Sequence, residues 1–302
     1  MIQSIEVINA KNESLVLELS NPERSGYAVT GVTGLGPVKA SISSSDNATS
    51  DGGVFNSARV STRNIVINLR FIGVDIEGLR QNTTKYFPVK QEITLRFVTD
   101  KRVVYTTGYV ESNEPDIFSK TEGCKISVLC PYPHFKMGYG TKDYVSFNGV
   151  EDTLEFPLSN ESLTDSLIEC SVMRTVATGN LRYNGDSDIG VVITAHAYGS
   201  VSTLTVYNTV TREKMVLDLS KVETLTGTAF GAGDEVIIST VKNSKSVRLL
   251  RDGVYTDILR CLDLTSDWFT ITKGDNVFSY TVDTDINNLL LKIENDVIYE
   301  GV

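Results

Sequence analysis

Apolar residues recur at every second position along most of this chain, and that period commits it to β-structure. Leu15, Leu17 and Leu19 share one face of a short segment. In residues 64–70, Ile65, Ile67 and Leu69 face one way, while Asn64, Val66, Asn68 and Arg70 face the other. Ile93, Leu95 and Phe97 repeat the arrangement. Successive strand side chains point to opposite faces, so these are half-buried antiparallel strands. One segment breaks the period. Ile76, Leu79, Thr83 and Tyr86 fall at helical spacing, Asp75 can cap the start, and Pro88 forces a stop. Gly78, Thr83 and Thr84 weaken this helix by propensity, so it needs its apolar face packed on a sheet. The first part of the chain is therefore mainly β with one α-helix. Residues 41–53 are small, polar and without core-forming side chains after Ile42. Either a long loop or the tip of a projecting hairpin fits, serving assembly or merely covering surface.

A chain of 302 residues is long for one core, and two domains are expected. Pro131, Pro133, Gly138 and Gly140 cluster as punctuation at a boundary, which divides the chain into 1–137 and 138–302. A second series of alternating strands follows: Leu154/Phe156/Leu158, Val191/Ile193/Ala195, Met215/Leu217/Leu219, Val236/Ile238, Val247/Leu249, Phe278/Tyr280/Val282 and Leu289/Leu291/Ile293. Asn148-Gly149, Asn184-Gly185 and Asp252-Gly253 are expected turns between them. With no helix of normal length, this half reads as a β-sandwich.

Charge separates the halves. Residues 1–140 hold 15 basic and 14 acidic side chains, leaving 13 and 24 for the remainder. The acidic second half argues against nucleic-acid binding, which requires phosphate neutralisation. No run approaches the ~18 apolar residues of a membrane span. The start has no basic region followed by an apolar core, so cytoplasmic synthesis is expected.

Candidates for chemistry are few. The cysteines at 124, 130, 170 and 261 form no Cys-x-x-Cys pair and read as buried thiols rather than metal ligands. His134 and His196 lack a nucleophile signature, and Glu151 and Glu155 are not distinguished from many other carboxylates. Asn184-Gly185-Asp186-Ser187-Asp188 alternates oxygen ligands like a calcium loop, but its glycine is misplaced and no glutamate completes it. No enzyme, metal or cofactor is expected. Trp268, the single tryptophan, could be a sugar-stacking platform, although a lone Trp in a sandwich is more often core. Arg59, Arg63 and Arg70 surround a central strand and need partners: Glu92, Glu111 or Glu114 within the domain, or a neighbouring subunit.

Several short motifs occur in a shared order. The first half has Gly34-Leu35-Gly36-Pro37, Arg59, Arg63-Asn64-Ile65-Val66-Ile67 and the helix at 75–87. Tyr105-x-x-Gly108-Tyr109-x-Glu111, Phe118-Ser119 and the exit Cys130-Pro131-Tyr132-Pro133-His134-Phe135 follow. The second half has Phe156-Pro157-Leu158-Ser159-Asn160, Gly179-Asn180, Asn184-Gly185-Asp186 with Gly190, and Tyr207-Asn208-x-x-Thr211. Gly233-Asp234-Glu235, Leu264-x-Ser266-Asp267-Trp268 and Gly274-x-Asn276 complete the series.

In these motifs the chain resembles the siphophage distal tail proteins, ring-forming hub proteins at the tip of long non-contractile tails. The resemblance implies an N-terminal β-sandwich with a helix that closes into a hexameric ring, and an outer, galectin-like C-terminal β-sandwich. It implies a structural virion protein of the tail tip or baseplate, made in a bacterial host. The ring would join the tube's major tail protein to a tail-tip or tail-associated lysin protein, and the outer domain would offer attachment to a receptor-binding protein. Ser187-Asp188 replaces the tighter turn expected after Asp186, and no extra block of strands supplies an inserted carbohydrate-binding module. Arg59, Arg63 and Arg70 are then candidates for assembly, and Pro131, Pro133 and Phe135 for fixing the angle between the domains. The competing reading is a two-sandwich, lectin-like carbohydrate-binding module using Trp268.

Overall fold

The computed structural model describes residues 1–47, 49–116, 118, 121–138, 142–152, 171–175 and 178–302. The chain divides into two compact units, Met1–Thr141 with Ile298–Val302, and Lys142–Val297. A single cut at 137/138 puts residues 298–302 with the second half. Here they lie in the first unit, because Ile298 and Tyr299 pair with a strand of that unit.

The first unit contains β1 (Ile2–Asn9), β2 (Ser14–Glu18), β3 (Tyr27–Thr33), β4 (Ala40–Asp46), β5 (Gly53–Val60) and β6 (Arg63–Phe71). Helix α1 (Ile76–Tyr86) precedes β7 (Glu92–Thr99), β8 (Val103–Asp116), β9 (Gly123–Cys130) and β10 (Phe135–Met137). The main sheet runs β2-β1-β7-β8-β9-β6-β3, with every pair antiparallel. It curls until β2 lies against β3. The inward phase of each strand fills the enclosed core: Ile65, Ile67 and Leu69 on β6, and Ile93, Leu95 and Phe97 on β7, are all buried. Strand β8 turns the sheet. Its first half pairs with β7 and β10, and its second half pairs with β9 after a bulge between Val110 and Ser112. Strands β4 and β5 stand apart as a two-stranded sheet.

Helix α1 forms where the period changes. The Asp75 carboxylate accepts from the Gly78 amide at 2.8 Å, and Ile76, Leu79 and Tyr86 pack on the core. Cys124 and Cys130 are buried free thiols, with burial pushing Cys124 up to about 11.

Among its described residues, the second unit has two larger antiparallel sheets beside two two-stranded ones. One orders Lys142–Ser146, Leu289–Asp296, Val192–Ala197, Glu235–Ser239, Ser246–Arg251 and Val254–Asp257. The other orders Thr178–Tyr183, Gly274–Val282, Thr203–Asn208 and Glu213–Asp218. Alternate residues of both are buried, and the Tyr280 hydroxyl of one donates to the Leu289 carbonyl of the other at 3.4 Å. Asp252-Gly253 makes the expected two-residue hairpin, with φ of 50° and 77°. Asn148-Gly149 does not turn. It lies within Asn148–Asp152, paired with Ser171–Thr175, so the chain passes from buried Phe147 directly into another strand. The 154–158 strand, Phe156–Asn160 motif and Cys170 lie outside the described residues.

A β-carbon on Gly78 would stand 2.2 Å from the capping Asp75 carboxylate. Gly78→Ala should therefore forfeit the cap and gain little, although Gly→Ala in a helix normally contributes about 1 kcal/mol. In an Asp75→Ala background the full gain should return. Urea denaturation of the two singles and the double variant checks this coupling; equal effects in both backgrounds would refute it.

Candidate assembly site

Arg63 opens β6 in the same inward phase as Ile65, Ile67 and Leu69, and only 1% of it is exposed. Its donors meet main-chain carbonyls from three distant segments. Nη1 donates to Gly34 at 2.5 Å and Gly36 at 2.7 Å, Nε to Pro133 at 2.6 Å, and Nη2 to Glu300 at 2.6 Å. The guanidinium lies 4.3 Å from the centre of the buried Phe135 ring. Burial lowers the Arg63 pKa, and arginine remains ionised in proteins. Four oriented dipoles and a π face thus replace its lost hydration; each charge-assisted hydrogen bond contributes about 1.5–3 kcal/mol.

The arginines expected to act together are separated. Arg59 and Arg70 are exposed, and neither makes an ion pair among the described residues. The glutamates proposed as partners are engaged elsewhere or lie off the inward phase. Glu92 accepts from the Tyr109 hydroxyl at 3.0 Å, and Glu111 accepts from Ser127 at 2.9 Å. Of the proline-rich exit, Pro133 and Phe135 both contact Arg63, whereas Pro131 is exposed. The sequence reading missed Glu300 and Gly36 as partners, because a backbone carbonyl leaves no mark in side-chain identity.

Arg63 sits at the root of the β4–β5 hairpin. Gly34 and Gly36 lie on its approach, and Arg63 follows its exit by three positions. Gly34 has φ of +84°, and a β-carbon there would stand 2.0 Å from the Asn64 carbonyl oxygen, so only glycine presents this carbonyl. The hairpin is exposed along both strands. Its register places Ala40 opposite Val60, Ile42 opposite Ala58 and Ser44 opposite Phe55. Cross-strand partners share a face, so Ala40, Ile42, Phe55, Ala58 and Val60 form one apolar side. Ser41, Ser43, Ser57 and Arg59 occupy the other side with Ser45 and Val54. Ile42 is 67% and Phe55 65% exposed.

Other candidates resolve differently. Trp268 is half-buried with the Lys245 ammonium 5.1 Å from its ring centre, while the neighbouring Phe269 enters the core. Of the two neighbouring aromatic residues it is Phe269 that is buried, correcting the core expectation for Trp268. Asp186 lies 3.6 Å from Lys273, so the calcium-like loop includes an ion pair. His196 approaches Glu235 at 3.8 Å. Glu155 lies outside the described residues. Among the described residues, no group of three His, Cys, Asp or Glu is placed to hold a metal, and no helix is long and apolar enough to cross a membrane.

Residues 184–293 match the family described as the siphovirus-type tail component, C-terminal domain. In overall structure the chain is similar to the Dit protein of phage SPP1, described as a paradigm of the hub adsorption apparatus in phages infecting Gram-positive hosts. That match has a TM-score of 0.63 and 11% identity, covering 97% of this chain and 98% of the other. At that identity the likeness is one of fold. A chain of the phage P2 baseplate in its activated conformation with calcium aligns at a TM-score of 0.46 and 12% identity, over 100% of both chains. A comparison with curated proteins finds no match.

Arg63→Ala should cost about 3–5 kcal/mol, since it leaves four carbonyls without their donor. Arg63→Lys should recover little, because one ammonium cannot span carbonyls that a planar fork reaches from different edges. With urea, the far-UV circular dichroism transition should move to lower denaturant, while Trp268 emission reports the second unit. A full rescue by lysine would refute the fork geometry.

Beside the cradle, burial lowers the His134 pKa, opposed by Glu300 and reinforced by Arg63. A depressed histidine binds protons more readily unfolded, so its contribution is present above the unfolded pKa, about 6.5, and declines as pH falls through it. Thermal melts across this window should show a drop that His134→Asn reduces; an unchanged drop would assign it elsewhere.

Proposed function

We propose that this chain, whose residues 184–293 match the siphovirus-type tail component C-terminal domain, is a siphophage distal tail protein that forms the hub ring joining a tail tube to the tail tip. Copies of the first unit associate around an open centre, in a hexamer on the family pattern. The major tail protein meets one side of the ring, and a tail-tip or tail-associated lysin protein meets the other. The acidic second unit stays outside, solvated and available to a receptor-binding protein. The role is structural, in the virion, and calls for no catalytic group or cofactor.

The observation that carries this reading is the exposed, amphipathic β4–β5 hairpin. A two-stranded hairpin is marginal in water, and its apolar side leaves Ile42 and Phe55 exposed among the described residues. An exposed apolar side of this kind is expected where it is covered on assembly. A second copy is the favoured occupant, because the first 140 residues carry nearly balanced charge, with 15 basic and 14 acidic side chains. Copies can then approach without strong mutual repulsion. Ring closure also covers strand edges that would otherwise invite uncontrolled pairing.

Negative-stain microscopy and light scattering of the purified protein test the reading: six-fold rings with an open centre are expected. Ile42→Ser with Phe55→Ser should shift the population to monomer without lowering the melting temperature, because both side chains are exposed in the single chain. Each apolar side chain buried on assembly contributes about 1.5–3 kcal/mol, so the double change should weaken association by roughly 100-fold or more at each contact. A chain that stays monomeric at all concentrations and within assembled particles would refute the ring.

A further inference from the structure

The segment Ile298–Val302 is held by the first unit much as an extended peptide ligand is held by a receptor. Ile298 and Tyr299 add to β10 as an antiparallel strand, opposite Lys136 and Phe135. Ile298 is buried, and the Arg102 guanidinium lies 4.3 Å from the Tyr299 ring centre. Beyond Tyr299, Val302 packs against the core of the first unit, and three hydrogen bonds involve the segment's main chain. Arg63 donates to the Glu300 carbonyl at 2.6 Å, Arg102 donates to the Gly301 carbonyl at 2.9 Å, and the Val302 amide donates to the Leu35 carbonyl at 3.1 Å. A β-carbon on Gly301 would stand 3.1 Å from the Leu35 carbonyl oxygen, so a small residue suits that position.

Every main-chain anchor leads to the root of the β4–β5 hairpin or stands beside it. Leu35 lies between Gly34 and Gly36, whose carbonyls hold the same Arg63 that takes Glu300. Among the described residues the hairpin pairs with no other strand, so its direction is set by its two roots, residues 34–39 before it and 61–63 after it. We propose that this cradle is a strand-acceptor site for an extended peptide, that Ile298–Val302 is its ligand in cis, and that seating of this segment sets the pose of the hairpin. The ligand class follows from the contacts: an apolar residue, an aromatic one, an acidic one beside His134, then glycine and a terminal apolar residue, in extended conformation.

The physical reason is the cost of a partly unpaired buried charge. If the segment leaves, Arg63 loses one of its four acceptors and the Leu35 carbonyl loses its donor. A guanidinium that is 1% exposed cannot replace an acceptor with solvent unless water enters or the 34–36 loop moves. Either change occurs at the root of the hairpin. The segment follows directly on the second unit, whose last strand ends at Asp296. Completion of the second unit is thereby linked to presentation of the hairpin in the first. This linkage concerns a single chain and stands whether or not the hairpin builds a ring.

Hydrogen–deuterium exchange of the full-length protein, at a concentration where it is monomeric, tests the proposal. Arg102→Ala and Tyr299→Ala each remove anchoring of the segment; Tyr299 also packs against the core of the first unit, so Arg102→Ala is the cleaner variant. Both should accelerate exchange at residues 34–42 and 58–63 by roughly tenfold or more, with the amides of β1, β7 and the second unit unchanged. A synthetic peptide spanning residues 297–302, added at millimolar concentration, should restore the lost protection, and a scrambled peptide should not. Acceleration confined to residues 298–302 would overturn the proposal. A rise throughout the first unit that the peptide fails to reverse would overturn it equally, because it would show loss of fold rather than loss of a ligand.

Discussion

A single positive charge, buried without a carboxylate, is the constraint on which much of the first unit depends. Arg63 is held by oxygen atoms of Gly34, Gly36, Pro133 and Glu300. Those carbonyls belong to three chain segments that converge only when the unit is complete. An apolar side chain at this position would accept many packings. A guanidinium accepts only arrangements in which its donors are met, because each unmet donor costs about 1–3 kcal/mol or more. The demand extends outward: Gly34 needs its left-handed backbone, Phe135 needs to lie beneath the charge, and residues 298–302 need to return from beyond the second unit.

The curled sheet supplies the other half of that arrangement. Strand β8 is 14 residues long and pairs with different neighbours along its two halves. The bulge between Val110 and Ser112 lets it turn the sheet without leaving it. Strand β10 pairs with the first half of β8, and this puts Pro133 and Phe135 where Arg63 can reach them. The segment from β8 to β10 therefore closes the core and builds one wall of the cradle. Within the first unit, Pro133 and Phe135 are placed against Arg63.

Much of this was legible in the sequence. Period two gave the strands of both units and their inward faces, since burial of one face is a local property written in successive residues. The Asp75 cap and Pro88 stop marked α1 for the same reason. Arg63 was legible in phase but not in partner: it shares the inward register of Ile65 and Ile67, which identifies a buried arginine, yet nothing in a sequence reports which carbonyls converge on it. The glutamates were attractive because they carry charge, and the sheet places Glu92 and Glu111 against other partners. Asn148-Gly149 misled because a turn dipeptide states a preference that a paired strand can override. Trp268 and Phe269 lie just before a strand, outside any alternating register, so period two could not tell which of them is buried.

Rooting an exposed hairpin on a buried charge has a consequence for assembly. The hairpin's own hydrogen bonds hold its two strands together but do not aim it, since no third strand among the described residues pairs with either. An apolar root would allow small sliding motions at little cost, because dispersion contacts exchange easily for one another. A planar fork bonded to carbonyls on both the approach and the far segments resists rotation, because turning it breaks several bonds together. An arm that must meet a neighbour at one angle, repeated around a closed ring, gains from such a root: angular errors accumulate around a ring, and closure tolerates few of them. On this reading the desolvation cost of Arg63 is offset in part by its four hydrogen bonds, and what the unit gains for the remainder is direction.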